Sequence, residues 1–204
     1  MKPRLFPVFI VILALGGATC ATPLLAQNTT KDQGLGGTPP SGLCMLSREA
    51  VFANSKVGIA VSARLKQLAD AAQSEIEADR KPVEAEFRGL QAEAAKLKPE
   101  QVKAREAALQ PKVQAIQTKT TTRSREIELT RTKVMEMISV EAQPVIAEVY
   151  KKRACGLLID RNTVLGGNFT NDLTSDVVRS LDAKITTLTF ERETLPSGTS
   201  RNGT

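Results

Sequence analysis

The residues Ala95-Lys96-Leu97-Lys98-Pro99-Glu100-Gln101-Val102 decide the fold, because they interrupt an otherwise long helical pattern. Upstream, apolar residues recur at Val57, Val61, Leu65, Leu68, Ala72 and Ile76, then at Val83, Phe87, Leu90, Ala94 and Leu97, in steps of three and four. Downstream, Val102, Leu109, Val113, Ile116, Thr120, Arg123, Ile127, Thr130, Val134 and Met137 continue as a heptad seam. Proline disfavours helix at the residue before it and suits the first turn of a new helix. The pattern therefore predicts two limbs of equal length, 54–97 and 100–143, each roughly 65 Å long at ~1.5 Å per residue. Joined by a tight turn, they make an antiparallel helical hairpin, coiled-coil-like but poor in its seam. Ala72, Ala94, Thr120, Arg123 and Thr130 stand where a rigid coiled coil places Leu or Ile. Pro82 and Pro111 each remove a backbone hydrogen bond, at nearly the same height on facing limbs, and read either as a hinge in the arm or as two unrelated, tolerated prolines.

The flanks of the hairpin are short. Leu43-Cys44-Met45-Leu46 reads as a buried strand, and Asn54 and Ser55 offer N-caps to the first limb. Beyond Pro144 the pattern predicts a last helical segment over 145–153, a second buried strand over 155–160 and a short third strand at Thr163-Val164-Leu165. Thr174 is placed to cap a final helix carrying Val177, Val178, Leu181 and Ile185. The predicted class is α+β: a small β-strand body (43–53 and 144–188) and a long helical-hairpin arm (54–143). A Gly- and Pro-rich flexible leader (27–42) precedes them and a disordered tail (189–204) follows. So small a body is marginal as a core of its own, and its strand edges are open. Copies of the chain are expected to share it, with Leu46, Leu157, Leu158 and Ile159 in the common core.

Residues 1–26 have the form of a signal peptide. Lys2 and Arg4 precede an apolar stretch from Leu5 to Ala18, too short to span a bilayer, and Leu24-Leu25-Ala26 offers a cleavage site. Cleavage removes Cys20 and leaves Cys44 and Cys155, an even number in an oxidising compartment. Each stands at the start of a body strand. If those strands run side by side and parallel, both fall at the same end within bridging reach. Two buried free thiols, or a bridge between subunits, remain open alternatives.

Composition narrows the function. The chain contains no histidine, which removes imidazole ligands, His general bases and His-activated nucleophiles, and leaves three Cys short of a zinc site. No catalytic residue, metal or cofactor emerges, and the chain does not read as an enzyme. The net charge is +6, and residues 88–133 hold eleven basic to five acidic residues. Arg88, Lys96, Lys98, Lys103, Arg105 and Lys112 are therefore the candidate binding residues of a basic arm, suited to acidic polypeptides and anionic lipid surfaces. Nucleic acid is disfavoured by export and by the lack of aromatic or groove-reading motifs.

Three stretches together resemble the Skp/OmpH family of periplasmic chaperones. The first is Leu46-Ser47-Arg48-Glu49-Ala50-Val51-Phe52, followed by Ser55-x-x-Gly58-x-Ala60-x-x-x-Arg64-Leu65. The second is the hairpin. The third runs from Leu157 to Leu165 through Asp160 and Asn162 and continues as Asp172-Leu173-Thr174-x-x-Val177. Cys44, Cys155 and the Gly- and Pro-rich leader depart from the family's best-known members. The resemblance implies a homotrimer with a central β body and three hanging hairpins, holding unfolded outer-membrane β-barrel proteins in the periplasm without ATP. The number three and the clients come from the resemblance alone. A hairpin by itself also fits a periplasmic adaptor of a secretion or efflux machine, although such adaptors usually carry many more strands than 43–53 and 155–190 can hold.

Overall fold

The structure, a computed structural model, describes residues 35–196. The expected signal peptide, most of the expected leader and the last residues of the expected tail lie outside them. The element order is β1 (Leu43–Leu46), α1 (Arg48–Asn54), α2 (Lys56–Glu93), α3 (Pro99–Lys152), β2 (Leu157–Asp160) and α4 (Thr174–Lys184), with 3-10 turns at Ala94–Lys96 and Arg161–Thr163. The two long helices are separated only by the break around Lys98-Pro99. Pro99 opens α3, where its missing N–H costs nothing, and the Lys98 N–H donates to Gln101 Oε1 at 3.0 Å.

α2 and α3 lie side by side, and their ion pairs give the register. Arg105 meets Glu93 at 2.7 Å, Lys112 meets Glu86 at 2.5 Å, Lys119 meets Asp79 at 2.6 Å and Arg123 meets Glu75 at 2.7 Å. Every one of these pairs is symmetric about residue 99. α2 has 38 residues and α3 has 54, so α3 runs on past the start of α2 instead of ending at residue 143. Pro144 does not end it. Val145 and Val149 bury to 4% and 6% exposure, and that packing outweighs the lost backbone bond.

The overrun lets the chain turn back as a strand parallel to the first. β1 pairs with β2 in parallel, Leu43 opposite Leu157 and Leu46 opposite Asp160. α3 closes on a Schellman turn: Ala154, at φ 51°, donates to Lys151 O and Cys155 donates to Tyr150 O. The Cys44 and Cys155 Cα atoms are then 5.8 Å apart across 111 residues, with their sulfurs in contact.

The expected third strand at 163–165 is absent. Asp160 Oδ1 accepts from the Asn162 N–H at 2.9 Å and Thr163 Oγ1 donates to Asp160 O at 2.8 Å, which winds these residues into a 3-10 turn. The free edge of β1 is taken instead by residues 171–173. Met45 N donates to Asn171 O at 3.0 Å, and Leu173 N donates to Met45 O at 2.8 Å.

One core joins all these elements. It contains Cys44, Leu46 and Val51, then Val57, Val61 and Leu65 from α2, Val134 to Val149 from α3, and Leu173, Val177 and Leu181. The first turns of α2 and the last turns of α3 belong to this core together with the strands. The polar letters of the terminal motif tie its rim. Ser47 N donates to Thr174 Oγ1, and Asp172 accepts from Thr174 N and from Arg161. Asp172, not Thr174, thus satisfies the first turn of α4. Part of the expected disordered tail is also ordered, since Leu188 and Phe190 pack against the core and residues 191–193 pair with α2 and α3.

Ser55 caps α2 by accepting from Gly58 N at 3.2 Å. α1 approaches so closely here that a Cβ on Gly58 would lie 1.7 Å from Phe52 O. Gly58→Ala is expected to destabilise the fold by about 2 kcal/mol, the cost of overpacking a rigid contact. Urea melts read by circular dichroism check this, and an unchanged midpoint would refute the close packing.

Candidate binding arm

The arm divides by burial. In its proximal part α2 buries Val61, Leu65, Leu68, Ala72 and Ile76, each within four residues of the next. α3 buries Glu126, Thr130, Val134, Ile138 and Ala142. The α3 register differs from the heptad reading, which runs through Ile127 and Met137; Met137 is 40% exposed. Steps of four from Glu126 drift round the helix and turn Ile127 and Met137 off the contact line.

Between Ile76 and Leu90 on α2, and between Leu109 and Glu126 on α3, no described residue is buried. Pro82 and Pro111 both lie in this window, and both helices run on through them. The window is an open cleft of about 430 Å³ with an apolar lining of Val83, Phe87, Leu109, Val113 and Ile116. Arg80, Glu84 and Arg88 rim it. Phe87 is 50% exposed, and exposing so large an apolar ring costs stability that the fold leaves unrecovered. At the distal end of the cleft Leu90 and Leu109 are buried again, at 5% and 7% exposure.

The ion pairs sort the candidate basic residues. Arg105 and Lys112 are neutralised by Glu93 and Glu86 of the other helix. Arg88, Lys96, Lys98 and Lys103 have no ion-pair partner among the described residues and stand around the cleft and the tip. A good part of the arm's other basic residues face carboxylates of the opposite helix. The sequence carried this signal: Asp79, Glu86 and Glu93 are spaced by heptads, as are Arg105, Lys112 and Lys119, about the same break. Each of these pairs is substantially exposed and worth about 0–1 kcal/mol.

A tighter cluster closes the proximal seam. Arg123 Nε contacts Glu75 Oε2, and its Nη1 contacts Glu126 Oε2, both at 2.7 Å. Arg192 Nη1 reaches Glu75 Oε1 at 3.0 Å. The Arg192 hydrogen bond, aided by Arg123 and opposed by desolvation, holds the Glu75 carboxyl below its ordinary pKa. Arg123 is held above its own ordinary value, first by Glu126.

The expected body residues are unevenly placed. Leu46 is buried at 4% exposure, Leu158 packs against the core, Ile159 is half-buried and Leu157 is 58% exposed. β2 has its outer edge unpaired among the described residues, and Leu165 beside it is fully exposed. Among the described residues no helix is long and apolar enough to cross a membrane.

Comparison with known proteins gives two findings. The model of the OmpH family, described as outer membrane protein (OmpH-like), matches residues 43–181. A crystal structure described as that of an OmpH-like outer membrane chaperone from Caulobacter crescentus CB15 superposes with a TM-score of 0.72 at 34% identity, covering 82% of this chain and 99% of that one. No curated protein matches the chain.

The lowered Glu75 pKa has a definite sign in stability. A carboxyl whose folded pKa lies below its unfolded value contributes above the unfolded pKa and loses that contribution as pH falls through the folded pKa. Wild type is therefore expected to exceed Glu75→Gln in melting temperature at pH 7, with the gap closing under acid below the ordinary glutamate range. Thermal melts of both proteins from pH 7 to pH 3 check this; a constant gap would overturn it.

Proposed function

The chain belongs to the OmpH-like outer membrane protein family, and from that premise we propose that it is an ATP-independent periplasmic holdase for unfolded outer-membrane β-barrel proteins. It works as a homotrimer whose antiparallel helical hairpins surround the client. The observation that carries this reading is the distal arm: an exposed apolar cleft at Phe87 and Val113, flanked by unpaired Arg88, Lys96, Lys98 and Lys103.

An unfolded β-barrel chain offers apolar side chains at alternate positions, which an open cleft contacts without demanding a sequence. Free lysines at the tip raise the encounter rate with acidic segments and with anionic membrane surfaces. Nothing in this scheme consumes a nucleotide, because the client leaves when its own folding outcompetes weak, distributed contacts. The open edge of β2, with Leu157, Ile159 and Leu165 around it, supports assembly through the body. The rival reading as a secretion or efflux adaptor expects many more strands than the two among the described residues.

The test is capture of a urea-denatured β-barrel protein on dilution, without ATP, followed by light scattering and by stopped-flow fluorescence. Wild type, with a native mass of three chains, is expected to suppress aggregation. Lys96→Glu, Lys98→Glu and Lys103→Glu combined are expected to slow capture about tenfold at low salt and to flatten its salt dependence, leaving apolar retention in place. Aggregation unaffected by wild type would sink the function, and unchanged capture rates in the variant would reduce the tip charge to a solubilising role.

We also propose that Cys44 and Cys155 form an intrachain disulfide that staples the base of the arm. Their 5.8 Å Cα separation fits one. The loop-entropy view gives roughly 4–5 kcal/mol for a closed loop of this length. Thiol counting of the denatured exported protein is expected to find no free thiol, with a monomer band on non-reducing gels. Two thiols per chain would rule the bond out, and a covalent dimer would make it intermolecular.

A further inference from the structure

The residues after α4 leave the body and run outward along the arm as an extended segment. Leu188, Phe190 and Arg192 are half-buried while Thr189 and Glu191 are exposed, the alternation of an extended segment laid on a surface. Leu188 and Phe190 pack on the core. The segment then touches both long helices. Glu191 takes two hydrogen bonds from Arg64 of α2, at 2.9 and 2.8 Å. Arg192 reaches Glu75 of α2 at 3.0 Å and lies 3.3 Å from Glu126 of α3. Glu193 pairs with Lys133 of α3 at 2.7 Å, and its N–H donates to Thr130 Oγ1 at 2.9 Å.

Charge accounting shows why Arg192 matters. Glu75 and Glu126 are balanced by Arg123 and Arg192. The Glu126 side chain is only 5% exposed, so removing one cation leaves a nearly buried carboxylate under-compensated. The segment also reaches as far as the closed seam does. Buried residues stop at Ile76 on α2 and start again at Glu126 on α3, the level at which Arg192 sits, and the open cleft lies beyond. The whole segment lies past the family match, which ends at residue 181.

We propose that residues 185–195 are a clasp that locks the proximal arm shut, so that opening of the hairpin is confined to the cleft around Pro82 and Pro111. The clasp bridges α2 and α3 with one element and replaces the apolar seam residues that Thr130 and Glu126 do not supply. It is a positioning device added to the arm and does not depend on what the cleft binds.

Hydrogen exchange on the full exported protein tests it, against the same protein stopped after Lys184 and against Arg192→Met. Truncation is expected to raise exchange about tenfold in 64–76 and 123–138, with Arg192→Met raising it several-fold and residues 80–118 unchanged in both. Unchanged exchange in the proximal segments, or an equal rise throughout the arm, would overturn the clasp. Because truncation can unfold the body, the exposed pair supplies a second arm. Glu191→Arg alone is expected to raise proximal exchange, and adding Arg64→Glu to restore it. A double variant no better protected than the single would also overturn the proposal.

Discussion

The closure of the chain on itself at the base of the arm is the constraint on which the remainder depends. Four residues of β1 must find four of β2 across an excursion of about a hundred residues, and closing such a loop costs about 4 kcal/mol of chain entropy. Two short strands do not supply that alone. The core under them does, by burying Leu46, Val57, Val61, Val134, Leu173, Val177 and Leu181 together. Full burial of such a side chain is worth about 1.5–3 kcal/mol. The parallel sense of the pair requires α3 to overrun α2, and roughly ten residues of overrun carry the chain about 15 Å past the start of α2 before it reverses. Ala154 in the left-handed region makes that reversal, which delivers Cys155 beside Cys44.

With its base fixed, the arm has a gradient of cohesion along its length. The proximal third shares the body's core. The next part is held by a four-charge cluster at Glu75, Arg123, Glu126 and Arg192. Further out the helices are bridged by exposed ion pairs while their apolar faces stand apart. Exposed pairs contribute little to stability; the register is fixed by the short break at Lys98-Pro99 and by the proximal core, and the ion pairs form within it. A window lacking buried residues therefore persists inside an arm whose tip is aligned. Apolar surface that is exposed yet held in place is what the proposed holdase role requires, since a closed seam offers a client nothing.

The arm's charge has two roles that composition alone merges. The excess of basic residues over 88–133 suggests a uniformly basic surface. Arg105, Lys112, Lys119 and Arg123 instead face carboxylates of the other helix, whereas Arg88, Lys96, Lys98 and Lys103 have no ion-pair partner among the described residues.

The long-range plan was legible in the chain because it rests on periodic, local signals. Helical spacing on either side of Lys98-Pro99, a serine cap at Ser55 and two cysteines at strand starts are each set by interactions within a few residues or by simple counting. Tertiary packing alone decided the rest. Propensity stops a helix at Pro144, but Val145 and Val149 buried in the core carry it through. A heptad template places Ile127 and Met137 in the seam. Thr130 and Val134 bury as that template expects, but Glu126 takes the place of Ile127 on the contact line, beside Arg123 and Arg192, and no helical period encodes the approach of Arg192. Residues 189–193 read as tail because their partners, Arg64, Glu75, Thr130 and Lys133, lie 60 to 127 positions away. Local sequence carries no trace of contacts at that separation, since only the completed fold brings the partners together.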